Sequence, residues 1–351
     1  MDLLDYLKRA VEEQASDLFI VAGGPVCMKL DKRMVPISEG RVLPDETERL
    51  IMDLYVQAKR EPARYLSRGD DDFSFSVGGL ARFRVNTYRQ RGSLAAVVRV
   101  VAFDIPSWEE LSIPKQVIDL AEETHGMVLV TGTAGSGKST TQACIIDQIN
   151  HTREAHIITL EDPIEYLHRD VKSIVSQREI AIDTEDYLSA LRACLRQAPD
   201  VILLGEMRDQ ETIHTAMTAA ETGHLLIATL HTKGAVNTID RIVDTFPSSQ
   251  QEQVRTQLSM VLQVVVSQQL LPSANGSLVP AFEVMRMNNA IRSLIRDGKT
   301  HQIDNAIASG GDGMFTMDQS ILSLYKAGKI TAQTALEYTD NPDQMRRRIG
   351  G

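Results

Sequence analysis

The sequence is poor in cysteine and aromatic residues, and no apolar run in it approaches the length of a membrane span. Its three cysteines, Cys27, Cys144 and Cys194, stand far apart and form no CxxC pair, so neither a zinc knuckle nor a disulfide framework is indicated. We expect all three to be small buried side chains in a reducing cytoplasm. The N-terminus mixes acidic residues with leucines at helical spacing and lacks the pattern of a signal peptide.

Positive charge is also scarce, with 37 Lys and Arg against 47 Asp and Glu and a net charge of −10. Such a chain has no general attraction for a phosphate backbone, and aromatic residues that could stack on bases make up only 5% of it. Nucleic acid is therefore not an expected partner, although a local basic groove stays possible.

The chain is long enough for two domains: 351 residues, 43% of them hydrophobic. Alternating strands in "DDFSFSV" and "ARFRVNTYRQRGSLAAVVRVV" predict a small α/β domain over residues 1–103, the second stretch forming a hairpin. Residues 104–115, with two prolines, are the predicted linker. From 116 to 351, runs such as "MVLVTG", "VILLGE" and "HLLIATLH" alternate with helical segments, which predicts a parallel sheet covered by helices. Ligands of such sheets bind at the carboxyl ends of the strands.

One strand runs directly into "GTAGSGKST", a phosphate-binding loop whose backbone amides and following helix attract phosphate. Lys138 is expected at the β and γ phosphates and Ser139 at Mg²⁺. The sequence thus predicts ATP and Mg²⁺ as cofactors. The predicted nucleotide-binding residues are Gly132, Gly135, Ser136, Gly137, Lys138, Ser139 and Thr140.

Acidic residues follow two other predicted strands. "TLEDPIEYLHRD" presents Glu161, Asp162 and Glu165, and "APDVILLGEMRD" presents Glu206. Phosphoryl transfer to water needs one group that orients the water and another that helps to hold the metal. Taken singly each acid could be an ordinary solvated turn residue, but their position beside a phosphate loop favours hydrolysis.

Two histidines bracket the strand in "GHLLIATLH". His224 and His231 would lie roughly 23 Å apart along a strand, too far to share a metal ion. His231, at the carboxyl end, is in plausible reach of a γ-phosphate and could sense the nucleotide, whereas His224 would cap or bridge another element. A purely structural role stays open for both.

In "ARFRVNTY" the alternation places Arg82 and Arg84 on one face of a strand, and Arg99 lies on the returning strand. This pattern is compatible with a solvated edge face. It is equally compatible with arginines offered to the triphosphate of a neighbouring subunit, where they would stabilise the transition state in trans.

Taken in order, these motifs resemble the secretion ATPase superfamily and, within it, the PilT-type pilus retraction ATPases. The resemblance implies a PAS-like N-terminal domain, a RecA-like P-loop core and a hexameric ring. By the same resemblance Glu165 is the catalytic base and Glu206 assists Mg²⁺. Arg82, Arg84 and Arg99 approach the nucleotide at a subunit boundary, while the roles of the two histidines stay unsettled.

The segment "AIRSLIRDGK" resembles a helix that marks retraction ATPases, and the chain lacks the cysteine-based zinc motif and additional N-terminal domain common in assembly ATPases. The prediction is an ATP-hydrolysing ring that depolymerises a type IV pilus for twitching motility. It would work at the cytoplasmic face of the inner membrane, on an inner-membrane platform protein. An assembly or accessory retraction ATPase, a nucleic-acid translocase and a nucleotide-gated scaffold are the alternatives.

Overall fold

The computed structural model describes residues 1–30, 33–101 and 105–350. Two compact units divide the chain, residues 1–104 with Glu165–Leu167, and Ile105–Ile164 with His168–Gly351. The predicted domain end at residue 103 and linker start at residue 104 lie outside the described residues. Residues 105–115 belong to the second unit, where Trp108 and Leu111 pack against its core.

The first unit contains a six-stranded sheet with the order β3-β2-β1-β6-β5-β4, in which all neighbouring strands are antiparallel. Its core lies between the helices and one face of this sheet, and burial alternates along β4 and β5. The elements are α1 (Leu3–Glu12), β1 (Asp17–Val21), β2 (Cys27–Leu30), β3 (Arg33–Pro36), α2 (Pro44–Gln57), α3 (Ala63–Arg68), β4 (Asp70–Val77), β5 (Ala81–Gln90) and β6 (Ser93–Val101).

Alternation is clearest in β5, where Ala81, Phe83 and Val85 are buried and the two arginines between them, Arg82 and Arg84, are half-buried. β5 and β6 pair as an antiparallel hairpin through a turn at Arg91 and Gly92, both with positive φ. The predicted hairpin is therefore confirmed.

The second unit contains a seven-stranded sheet with the order β13-β12-β7-β11-β10-β8-β9. Six of these strands are parallel, and only the edge strand β13 is antiparallel to its neighbour. The strands are β7 (Gly126–Thr131), β8 (His156–Glu161), β9 (Ile174–Glu179), β10 (Val201–Leu204), β11 (Leu225–Leu230), β12 (Leu262–Pro272) and β13 (Leu278–Arg286).

Every residue of β7, β10 and β11 is buried, because helices cover both faces of the sheet. Polar side chains are therefore found where these strands end. The α/β prediction for the fold class is confirmed. The helices are α4 (Lys115–Ile118), α5 (Lys138–Thr152), α6 (Tyr187–Cys194), α7 (Gln210–Glu221), α8 (Ala235–Asp244), α9 (Gln251–Val261), α10 (Asn289–Arg296), α11 (Ile303–Ala308), α12 (Met317–Lys326), α13 (Ala332–Tyr338) and α14 (Pro342–Ile349).

The last three helices pack against the β12–β13 hairpin in a small core of their own, which includes Met317, Ile321 and Met345. The basic C-terminal segment of the chain is thus the packed helix α14. Within the described residues, no helix combines the length and the apolar character needed to cross a bilayer.

Candidate functional site

The loop from Gly132 to Gly137 joins the buried strand β7 to helix α5 and wraps around the ammonium group of Lys138. Lys138 Nζ donates to the carbonyl oxygens of Gly132 and Thr133 at 2.8 and 2.9 Å, and the residue is only 8% exposed. The N-terminus of α5 adds unsatisfied amides to this positive charge. A multiply charged anion is the ligand that such a loop attracts.

The shape of the loop depends on contact with Gln268 of β12. A Cβ at Gly132 would lie 2.4 Å from the Gln268 carbonyl oxygen, and one at Gly137 would lie 2.9 Å from its side-chain nitrogen. The Gln268 Oε1 atom accepts from Thr141 Oγ1 at 2.7 Å, which fixes the first turn of α5. Sequence reasoning missed Gln268, since it lies on a strand far along the chain and no motif marks it.

The remaining predicted loop residues lie at the same place. Gly135 is exposed, and Ser139 and Thr140 are half-buried in the first turn of α5. Ser136 is 3% exposed, and within the part of the chain that the structure describes its hydroxyl has no hydrogen-bond partner. A buried unpaired hydroxyl inside a loop of amide donors indicates a polar ligand.

Two neighbouring strand ends bring Glu206 and His231 together. β11 lies between β7 and β10, so His231 after β11 and Glu206 after β10 reach the same edge of the sheet as the loop. His231 Nε2 lies 3.2 Å from Glu206 Oε2, and Arg208 forms an ion pair with the other oxygen, Oε1. Glu206 is only 12% exposed, so both contacts act in a partly desolvated setting.

Arg208 was not among the predicted site residues, although it stands two positions after Glu206 in the same motif. The Glu206 hydrogen bond raises the pKa of Arg208. Nearby, burial raises the pKa of Tyr187, and the carboxylates of Asp162 and Glu206 raise it further. These shifts indicate a concentration of negative charge at the ends of β8 and β10, where cations are favoured.

The other acidic motif follows β8. Glu161, the last residue of that strand, accepts from Thr159 Oγ1 at 2.6 Å and from Gln177 Nε2 at 3.2 Å, so it is held by its own sheet. After the cis peptide bond at Asp162–Pro163 the chain leads to Glu165, which is exposed. Glu165 belongs to the short segment Glu165–Leu167, which is grouped with the first unit.

The candidate arginines of the first unit lie side by side. Arg84 is directly opposite Arg99 in the β5–β6 ladder. Arg84 Nη2 lies 3.4 Å from Asp72 Oδ2, and Arg99 Nε donates to Asp17 Oδ1 at 3.0 Å. Arg82, two residues before Arg84, is half-buried on the same face. The charges of Arg84 and Arg99 are therefore partly balanced by acidic neighbours that the sequence pattern alone did not reveal.

His224 lies at the amino end of β11, and its role is local. Its ring Nδ1 lies 2.9 Å from the carbonyl oxygen of Ala219 and 3.1 Å from Thr222 Oγ1, at the C-terminus of α7. The two histidines are thus at opposite ends of the strand, as the sequence indicated. Within the described residues, no group of three or more His, Cys, Asp or Glu could hold a metal ion by itself.

A cavity of about 590 Å³ opens beside the loop. Gly137, Thr140 and Thr141 form its wall next to the phosphate-binding residues, and Leu270 and Ile113 contribute apolar surface. A cavity of this size, mixed in polarity and adjoining an anion site, suits the base and sugar of a nucleotide.

Comparison with known proteins places these features in context. Residues 2–334 match the family model described as type II/IV secretion system protein. The chain is 42% identical to the type IV pilus retraction ATPase PilT of Pseudomonas aeruginosa, over 98% of this chain and 100% of that protein. It is 37% identical to the type IV pilus ATPase PilU of the same organism, over 99% and 91% of the two chains. A crystal structure of the pilus retraction motor PilT with bound ADP superposes with a TM-score of 0.91 at 45% identity, covering 99% of both chains.

Proposed function

The chain belongs to the type II/IV secretion system protein family, and we propose that it is an ATPase that powers retraction of a type IV pilus. The observation that carries this proposal is the similarity to a retraction ATPase over nearly the whole of both chains. A match of that extent includes both units, whereas a shared P-loop alone would support only nucleotide binding.

ATP is the substrate that the second unit fits. Lys138 and the amides of the loop would bind the β and γ phosphates, and the cavity beside Thr140 and Thr141 would take the base and sugar. The Ser136 hydroxyl, buried and unpaired among the described residues, would gain a phosphate oxygen as acceptor. ATP binding would therefore use groups that the fold already holds together in and beside the phosphate loop.

The residues also fit Mg²⁺, which takes oxygen ligands and usually keeps waters and substrate phosphates in its shell. Ser139 and Glu206 would hold it, and the bound ion would neutralise charge on the phosphates. Glu206 already contacts two cationic or protonatable side chains, His231 and Arg208, as expected of a carboxylate placed to attract positive charge. The Arg208 ion pair with Oε1 must loosen or rearrange for Glu206 to act as a ligand, whereas the contact of Oε2 with His231 can remain.

Hydrolysis requires a water aligned with the γ-phosphate, and Glu165 would orient and deprotonate it. Its exposed carboxylate is available for that purpose. His231, in contact with Glu206 and at the end of the strand beside β7, would respond to the presence of the γ-phosphate.

The ring completes the site. Arg82, Arg84 and Arg99 would reach the nucleotide of the adjacent subunit in a homohexamer and absorb charge in the transition state. Successive hydrolysis events would move one unit past the next, and the ring would pull on a platform protein at the cytoplasmic face of the inner membrane.

Deletion of the gene in a host that builds type IV pili tests the direction of work. A retraction motor leaves cells heavily piliated and unable to twitch, whereas loss of an assembly motor leaves them without pili. Deletion cells without pili would overturn the retraction proposal while leaving the ATPase proposal intact.

Complementation supplies the matched control. The wild-type gene should restore twitching, and Glu165→Gln should not, even though its protein is made and binds ADP. Glu185, an exposed glutamate of the second unit, provides the control substitution Glu185→Gln, which should complement fully. Full complementation by Glu165→Gln would remove Glu165 from the mechanism.

A further inference from the structure

Helix α8 begins only four residues after His231, and its N-terminus is capped from outside the helix. The capping position is Gly234, which has no side chain to offer to the first amides. Two residues of the β12–β13 hairpin take its place. Ser267 Oγ accepts from the Gly234 amide at 2.9 Å, and Glu283 Oε1 accepts from the Ala235 amide at 2.8 Å.

These two acceptors form one unit. Ser267 and Glu283 are directly opposite each other in the antiparallel ladder, and they are 0% and 7% exposed. Ser267 is also in register with Thr131, the last residue before the phosphate loop. A buried carboxylate at a helix N-terminus makes a charge-assisted hydrogen bond, which is stronger and more directional than a neutral one.

The loop between His231 and α8 has a second attachment, to the C-terminal helices. Lys233 Nζ lies 2.7 Å from Asp340 Oδ1, and the Asp340 amide donates to Asp318 of α12 at 2.7 Å. Glu283 belongs to the same region, since burial raises its pKa while the amides of Ala235 and Met317, the first residue of α12, oppose that rise.

Lys233, Glu283, Asp318 and Asp340 line one cavity of about 590 Å³. This cavity shares no lining residue with the one beside the phosphate loop. The loop that carries His231 is thus held by groups that are not among the lining of the cavity beside the phosphate loop.

We propose that Glu283 is a positioning residue for hydrolysis: by capping α8 it fixes the segment from His231 to Ala235, and so holds His231 against Glu206. This inference rests on the proposed role of His231. The Lys233–Asp340 ion pair adds a weaker restraint, because both side chains are about half exposed. This ion pair connects the C-terminal helices to the segment from His231 to Ala235.

Glu283→Gln is the principal test, because glutamine keeps the size of the side chain but replaces the charged acceptor with a neutral amide. Hydrogen exchange of the amides from Gly234 to Asn237 should accelerate at least tenfold in the nucleotide-free protein. We expect kcat for ATP to fall about tenfold while KM stays within about twofold, since the phosphate loop is untouched. Asn305→Ala is the control, because Asn305 is an exposed, uncharged residue that lines the same cavity and should change neither quantity.

A second pair of variants keeps the test open if Glu283→Gln folds poorly. Ser267→Ala should accelerate exchange of the Gly234 amide, and Lys233→Met should lower kcat by about two- to threefold, as expected for a half-exposed ion pair.

Exchange that stays at the wild-type rate in Glu283→Gln and Ser267→Ala would overturn the positioning role, whatever the ATPase activity. Faster exchange with unchanged kcat would overturn its link to hydrolysis. Failure of the proposed function has a different signature, since the wild-type protein would then show no ATPase activity at all.

Discussion

The two sheets of the molecule place their polar residues in different ways. The antiparallel sheet of the first unit carries polar residues within its strands, such as Arg84 between two buried residues of β5 and Arg99 in β6. The mainly parallel sheet of the second unit is buried on both faces, and its central strands β7, β10 and β11 contain no exposed residue. Lys138, Glu206 and His231 therefore lie beyond the strand ends.

This difference determines how securely a polar residue can be assigned to the functional site from its position in the sequence. At a strand end of the parallel sheet, a polar side chain lies near the others because parallel strands finish at one edge. On the open face of the antiparallel sheet, a charged residue has many equivalent neighbours, and exposure alone does not select one of them. Substitutions in the two sheets should accordingly differ in both size and kind.

The largest effect is expected at the phosphate loop. Lys138→Ala removes the ammonium group that the loop surrounds, so hydrolysis should fall by about three orders of magnitude. Turnover of purified protein and the affinity for ADP are the measurements. Lys115→Ala is the matched control, because Lys115 is 71% exposed and pairs only with Asp119 among the contacts described. A Lys138→Ala protein that keeps a tenth of the wild-type rate would contradict the assignment.

Alanine substitutions at two glycines test how the backbone of the phosphate loop is held. Gly132 has φ +145°, and an added Cβ would meet the Gln268 carbonyl oxygen at 2.4 Å. Gly135 has φ +76°, but nothing lies within 4 Å of an added Cβ. Gly132→Ala should lower the free energy of unfolding by about 3 kcal/mol and Gly135→Ala by about 1 kcal/mol, as measured in urea. Equal losses would show that the loop is not held against Gln268.

The sequence predicted the loop, the strand ends and the side chains that occupy them, because each has a local signature. It could not predict which of those side chains meet. The contact between His231 and Glu206 depends on the strand order β7-β11-β10-β8, and strand order is a property of the whole sheet. Gln268 was missed for the same reason, since its partner Thr141 lies in a distant part of the chain.

Helix α14 is a second example of tertiary context deciding the outcome. The tail "DQMRRRIGG" has only two apolar side chains, Met345 and Ile349, and three consecutive arginines, so its sequence does not show whether the helix packs or frays. Met345 is nevertheless 1% exposed, because α12 and α13 supply the surface against which it packs. Burial here comes from neighbours that local sequence does not specify.

The arginine face should show a smaller effect of a different kind. Arg84→Ala removes an exposed ion pair with Asp72, so the free energy of unfolding should change by less than about 0.5 kcal/mol. If the arginine acts in trans, hydrolysis at ring-forming concentrations should still fall at least tenfold. The two quantities are measured on the same preparation, by urea unfolding and steady-state turnover.

Mixing variants separates action in trans from action within one chain. Arg84→Ala subunits retain the phosphate loop and Lys138→Ala subunits retain the arginine, so a mixture should be more active than either protein alone. Lys138→Ala mixed with Gly132→Ala provides the control, because both lesions lie in the same loop and should not rescue each other. Absence of rescue in the first mixture would place Arg84 among ordinary solvated residues.

The smallest effect concerns His168, a polar residue of the second unit in the loop between β8 and β9. His168 is half-buried, its amide donates to Gln177 Oε1 at 2.8 Å, and burial lowers the pKa of its ring from 6.5 to about 4. As the pH falls below 6.5, the unfolded chain binds a proton that the folded chain accepts only near pH 4, so stability is lost across that window. Between pH 7 and 5.5 this linkage should lower the free energy of unfolding by about 1 kcal/mol. The His168→Gln protein should not show that part of the loss. The control His125→Gln, at an exposed histidine, should show it in full. Turnover at pH 7.5 should be the same in both variants, because His168 supports the loop between β8 and β9 and is not among the residues proposed to bind the phosphates. A tenfold loss in His168→Gln alone would extend the catalytic machinery to that loop.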